Sequence, residues 1–179
     1  SLNGGGHTVT ISGNISSLQG GATYEKGGTT YNVYGELVAV NNASIQNLKI
    51  VVSGSRELTC DNLVYGAVGV NVGGVGDMGN AVDAKLLNVD VTWNGGVALR
   101  GGGDMYFGGI AGFVGYDGQA DDGDLVDNSD LVVNGNVSLT GSYYRANAGA
   151  YGYIFGGSVG GLDGTTATWN GDVTMKGAE

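Results

Sequence analysis

The chain has 179 residues, with 38 glycines, no proline and one cysteine, and its 17 Asp plus Glu against 7 Lys plus Arg give a formal net charge of −10. Missing proline and the lack of a three-residue period exclude collagen, while 41% apolar residues spread along the chain argue against disorder. The acidic balance argues against a nucleic-acid partner, and no apolar run approaches the ~20 residues of a membrane-spanning helix, so no insertion by this segment is expected.

The chain opens at Ser1 without an initiator methionine and reads as a mature or excised segment of a longer protein. Its first element is HTVTISG (7–13), in which apolar and polar residues alternate before a closing glycine, as in a strand with one face inward. A catalytic triad would need an activated Ser or Cys beside His7, the sole histidine. Its place at a strand entry favours a structural role. VYGELVAV (33–40) and IQNLKIVVSG (45–54) follow. In ELTCDNLVYG, Cys60 stands near Glu57 and Asp61 with only Arg56 to offset them. A reactive thiolate wants cationic neighbours, so an inert thiol is expected. A single cysteine excludes an intrachain disulfide.

Two kinds of string then recur. VYGAVGVNVG (64–73), YFGGIAGFVG (106–115) and IFGGSVGGLDG (154–164) resemble VYGELVAV: two large residues, glycine, then small and apolar residues. LLNVDVTWNG (86–95), NGNVSLTG (134–141) and NGDVTMKG (170–177) resemble IQNLKIVVSG. Residues 80–87 could form a short helical turn. Aligning the alternating cores sets Val9/Ile11 beside Leu48/Ile50, Val89/Val91, Val137/Leu139 and Val173/Met175. Similar strands about 36 to 48 residues apart, with unlike loops between them, predict an all-β fold. The expected form is a parallel β-helix (solenoid) with irregular loop insertions, one domain over residues 1–179; the alternative is an irregular β-sandwich. Glycines would turn the chain while the large residues fill a continuous core.

Two loops stand out for function. YDGQADDGDLVDNSD carries Asp117, Asp121, Asp122, Asp124, Asp127 and Asp130 with no basic residue. Calcium takes six to eight oxygens, which clustered Asp can supply. The spacing matches neither the EF-hand loop nor the nonapeptide calcium roll, which favours a solvated acidic loop. No other cofactor is implied. GSYYRANAGAYGYIFGG (141–157) is an aromatic insertion whose Tyr143, Tyr144, Arg145, Asn147 and Tyr151 are candidates for binding a sugar or protein surface. The competing expectation sends Tyr151, Tyr153 and Phe155 into the next coil's core. Trp93 and Trp169, each in TWNG, fall in phase with inward residues and read as core or corner packing. Glycosidase chemistry would need paired carboxylates. The outward Asp90 and Asp172 lack a dense setting with basic partners, so no enzyme is expected.

FGGIAGFVGYDG (107–118) followed by VDNSDLVVNGNVSLTG resembles the GLUG repeats of bacterial surface proteins. The matching positions are Gly108, Gly109, Ile110, Gly112, Asn128, Ser129, Val137 and Gly141, with a second match at Gly156, Gly157, Val159 and Gly160. The opening LNGGGHTVTISG is similar to the entry coil of right-handed parallel β-helix surface proteins. The resemblance implies export to the cell surface and an adhesin-like role, with adjoining repeats of the same chain as neighbours. Some relatives carry a metallopeptidase elsewhere in a longer chain, but HExxH is absent here. The functional expectation is a non-catalytic extracellular module, adhesive or stalk, binding a glycan or host protein. A purely structural spacer or surface-layer element and a carbohydrate-active β-helix enzyme are the alternatives.

Overall fold

The computed structural model describes residues 1–75, 81–82, 84–117, 125–156 and 162–177. They form an all-β protein of three sheets, with no helix among the described residues. In chain order the strands are β1 (Leu2–Asn3), β2 (Thr8–Ile11), β3 (Ala22–Lys26), β4 (Thr29–Asn41), β5 (Ser44–Val52), β6 (Arg56–Thr59), β7 (Leu63–Val75), β8 (Ala81–Val82) and β9 (Lys85–Trp93). They continue with β10 (Val97–Arg100), β11 (Gly103–Asp117), β12 (Val126–Asp127), β13 (Leu131–Val133), β14 (Val137–Gly141), β15 (Tyr143–Phe155), β16 (Leu162–Asp163), β17 (Ala167–Trp169) and β18 (Val173–Gly177).

The first sheet holds β1, β2, β5, β9, β12, β13, β16 and β17; the second runs β6-β10-β14-β18; the third runs β3-β4-β7-β11-β15, with β8 on β7. All described pairings are parallel except the hairpins β3–β4 and β7–β8. The chain therefore passes from first to second to third sheet and begins again one strand further on. Side chains stack in columns, such as Ile11–Val52–Trp93–Val133–Trp169 in the first sheet and Leu58–Leu99–Leu139–Met175 in the second. The inward residues of all three sheets meet in one core.

Corners repeat as closely as strands. Asn47, Asn88 and Asn128 adopt left-handed φ of 55°, 54° and 45°. This conformation is tolerated by Asn better than by most residues. Their amides form a ladder, Asn128 Nδ2 donating to Asn88 Oδ1, Asn88 to Asn47 and Asn47 to Asn3. A second ladder links Asn170, Asn134 and Asn94. The glycine after each of these three asparagines has a different cause. A Cβ on Gly95, Gly135 or Gly171 would overlap the carbonyl of the glycine in the strand turn below. Close backbone stacking thus requires glycine in the Asn-Gly string.

The double glycine of FGGIAG also has a defined place. Gly35, Gly66, Gly108 and Gly149 form one column in the third sheet, and the register shifts just after it. At this stacked bulge a Cβ on Gly108 would collide with the Ala111 carbonyl.

Several expectations are corrected. Val137/Leu139 and Val173/Met175 stack on Val97/Leu99 in the second sheet, not beside Val89/Val91. The partners of Val91 and Trp93 are Leu131 and Val133. Strands on either side of an Asn-Gly corner share one alternating pattern, so similarity alone does not separate them. The register partner of Tyr106-Phe107-Gly108 is Asn147-Ala148-Gly149, not Ile154-Phe155-Gly156. The aromatic insertion is accordingly strand β15, because Ala146, Ala148 and Ala150 alternate against the core. Residues 81–82 and 85–87 are extended, so the short helical turn does not form there.

The third sheet is buried on both faces. Leu63, Tyr65, Met105 and Phe107 point into the main core, while Val64, Tyr106, Phe113 and Phe155 belong to a second cluster with Tyr31 and Val33. Tyr24 of β3 lies 6.5 Å from Phe155 of β15 between ring centroids. Four strand spacings in a flat sheet would separate them by ~19 Å. The β3–β4 hairpin therefore folds back across the outer face and caps this second cluster.

Candidate functional site

The capping hairpin creates a cleft where its tip meets the edge strand β15. ATYEK-GG-TTYNV places two glycines between alternating strands, and Gly27 and Gly28 take φ of 59° and 82°. Two successive positive φ values are what a type I′ hairpin needs. The turn brings Lys26, Gly27 and Thr29 over the start of β11 and β15. The resulting open cleft of about 470 Å³ is lined as well by the buried Tyr31 and Asp104 and by Tyr144, Arg145 and Tyr153.

Its floor is ordered by a buried polar contact. Asp104 is 7% exposed, and its Oδ2 accepts a hydrogen bond of 2.7 Å from the Tyr31 hydroxyl. The Asp104 amide donates to Asn62 Oδ1, fixing the carboxylate's backbone. Burial first, then the Asp104 hydrogen bond and charge, hold the Tyr31 hydroxyl well above its ordinary pKa of 10. Tyr106 is also raised, by burial and then Asp104, against the lowering effect of the Arg145 guanidinium beside it. The Tyr106 and Tyr153 rings stack at 5.5 Å, and Lys26 Nζ sits 4.2 Å from the Phe155 centroid. Such a cation–π contact holds the lysine stem while leaving its charge near water.

Above this floor Tyr144 is 90% exposed, and Arg145 is exposed beside it. No ion pair holds Lys26 or Arg145 among the described residues. Two cations and several aromatic faces thus surround one buried carboxylate, in a chain with only 7 basic residues.

Of the five recognition candidates, Tyr144 and Arg145 enter this cleft. Tyr143 is half-buried opposite Gly103 and does not line it. Asn147 Nδ2 donates to the Gly152 carbonyl at 2.7 Å, bracing the strand. Tyr151 packs against the main core and its hydroxyl bonds to Thr165. The hairpin residues Lys26, Thr29 and Tyr31 were missed. Their signal was the alternating sequence on both sides of Gly27-Gly28.

The calcium candidates Asp121, Asp122 and Asp124 lie outside the described residues, as does the side chain of Asp117. Asp127 is half-buried in β12, opposite Leu87 and Asp163. Among the described residues no three His, Cys, Asp or Glu converge. Asp90 Oδ1 caps the Asp130 amide, and Asp172 instead donates its amide to Asn136 Oδ1. Asp90 lies in β9 and Asp172 in the turn between β17 and β18. His7 is exposed. Cys60 is half-buried, with its thiol pKa raised by burial and then Asp61, which opposes thiolate formation.

A second cavity, of about 400 Å³, lies beside Glu36, Arg56 and Tyr65. Arg56 Nε and the Tyr65 hydroxyl both donate to Glu36 Oε1. The same guanidinium donates to the carbonyls of Gly13 and Ser55. Arg56 thus ties the entry segment to β4 and β6, which is a structural task. Comparison with known protein families, with curated proteins and with solved structures gives no match.

Proposed function

We propose that the chain is a non-catalytic β-solenoid module of an exported bacterial surface protein, and that it adheres to a glycan or protein through the cleft between the β3–β4 hairpin and β15. The observation that carries this reading is Tyr144, 90% exposed on a sheet edge beside two cations and a buried, hydrogen-bonded floor. An exposed aromatic on a rigid sheet offers contact area at low entropic cost. The recurrent parallel pairing of strands, from Asn41 with Asn71 to Leu2 with Ile45, supports a solenoid over a sandwich. Export and adhesion rest on the resemblance to GLUG repeats.

The spacer reading has its own support. Val173 and Met175, ends of core columns, are 44% and 43% exposed, as residues awaiting a further strand would be. The enzyme reading has less, since Asp90 lies in β9 of the first sheet and Asp172 lies in the turn between β17 and β18.

The deciding experiment is an array of glycans and extracellular-matrix proteins probed with the whole chain, with calcium and with chelator. Adhesion predicts a specific hit that Tyr144→Ala weakens by about tenfold, ~1.4 kcal/mol, without changing the melting temperature. A blank array, or a hit indifferent to Tyr144→Ala, sinks the proposed cleft. Loss of a hit with chelator would assign calcium a part.

A further inference from the structure

Resting on that reading, we infer that the cleft takes a short saccharide carrying a carboxylate or sulfate group. The cleft volume lies within the ~300–1,000 Å³ of small-ligand pockets, too small for a folded partner to enter. A sugar ring presents one apolar face, which the exposed Tyr144 side chain can match. Charge then decides which sugar. Elsewhere this acidic surface repels anions, and Arg56 is already committed to Glu36.

Lys26 and Arg145 approach the cleft from different elements, one from the hairpin tip and one from the edge strand. Neither meets a carboxylate at ion-pair distance among the described residues. Asp104 does not cancel them both: it is one charge, buried, and bonded to Tyr31. The cleft therefore carries an excess cation where the rest of the protein carries excess anions. A guanidinium accepts the planar carboxylate or a sulfate edge through paired N–H donors, and the ammonium adds a second, less directional contact. A neutral glycan would offer neither cation an anionic partner, whereas an anionic one supplies it.

The test titrates the whole chain by calorimetry with three probes of matched length: an oligogalacturonate, a chondroitin sulfate oligosaccharide and a neutral galactan oligomer. The inference expects one or both anionic oligomers to bind at least about tenfold tighter than the neutral one, with affinity falling as salt is raised. The two anionic arms separate carboxylate from sulfate recognition. Lys26→Gln and Arg145→Gln should each weaken anionic binding by about tenfold and narrow its margin over the neutral oligomer. Arg145→Lys should recover only part of the loss, and the melting temperatures should stay level. Equal affinity for neutral and anionic oligomers, still lost in Tyr144→Ala, overturns the acidic specificity and leaves glycan adhesion standing. Binding by none of the three overturns the saccharide class itself, and only a protein hit on the array then sustains adhesion through this cleft.

Discussion

The tetrapeptide Thr-Trp-Asn-Gly occurs twice, around Trp93 and around Trp169, and the two copies lie in the same column of the first sheet with Val133 between them. Trp93 is 1% exposed, its Nε1 donates to the Gly109 carbonyl at 2.8 Å, and its ring meets Tyr65 and Phe107 at 5.6 and 5.1 Å. Trp169 is only half-buried, in a last layer whose Val173 and Met175 are largely open to solvent. Identical local sequence therefore yields unequal burial. What differs is whether strands lie on both sides, so stability here is supplied by neighbouring layers.

The sharpest way to test that contrast is to truncate both tryptophans. Trp93→Ala should cost about 3–5 kcal/mol, as expected for emptying a buried aromatic site. Trp169→Ala should cost less than half as much. Urea midpoints at unchanged slope would measure both, and equal losses would refute the contrast.

The next largest effect concerns the ion pair. Arg56→Ala strands the Glu36 carboxylate beside a hydroxyl and should cost about 3 kcal/mol. The double change Arg56→Met with Glu36→Leu should recover most of that loss, as judged by thermal melts. Failure of the double change would assign the main stabilisation to the carbonyls of Gly13 and Ser55 instead.

Glycines offer a third comparison. Gly135→Ala meets the Gly95 carbonyl, whereas a Cβ at Gly177 meets nothing within 4 Å. The first should destabilise by about 2 kcal/mol, in the range of overpacking, and the second by less than ~0.5 kcal/mol. Chemical denaturation of the two variants decides it.

The smallest expected effect is on the alkaline side. Tyr65, raised by burial and then by the charge of Glu36, keeps its proton in the fold beyond the ordinary pKa of 10, as do Tyr31, Tyr106 and Tyr151. The unfolded chain releases these protons from about pH 10 and so binds fewer than the folded one. Stability is then present in full below pH 10 and falls as pH rises above it. Melting temperatures measured from pH 8 to 11 should show a plateau followed by a decline, and Tyr65→Phe should soften the decline.

Much of this architecture was legible as repetition. The Val-Tyr-Gly strings at 33–35 and 64–66 pair directly, and both stack with Tyr106-Phe107-Gly108. Strand alternation and the Asn-Gly corners followed from residue type. Register did not, because Val89-Asp-Val and Val137-Ser-Leu carry one pattern into two different sheets. The hairpin's return across the third sheet was hidden for another reason. It depends on Tyr24 and Tyr31 finding Phe113, contacts distant in sequence that no local period announces. In the site, Tyr144 and Arg145 were visible as exposed chemistry, while Lys26 and Asp104 became neighbours only through that fold-back.

The steady stacking interval has a kinetic consequence. Each added layer closes a loop of similar length, since the ladder asparagines partner across 36 to 44 residues. Closure entropy depends on that interval and grows only slowly with it, about 0.6 kcal/mol per doubling. Lengthening the stack would raise the number of closure steps without making any one of them harder. Its time to fold should scale with the count of layers, while the barrier at each step stays that of a single turn of chain finding the edge already formed.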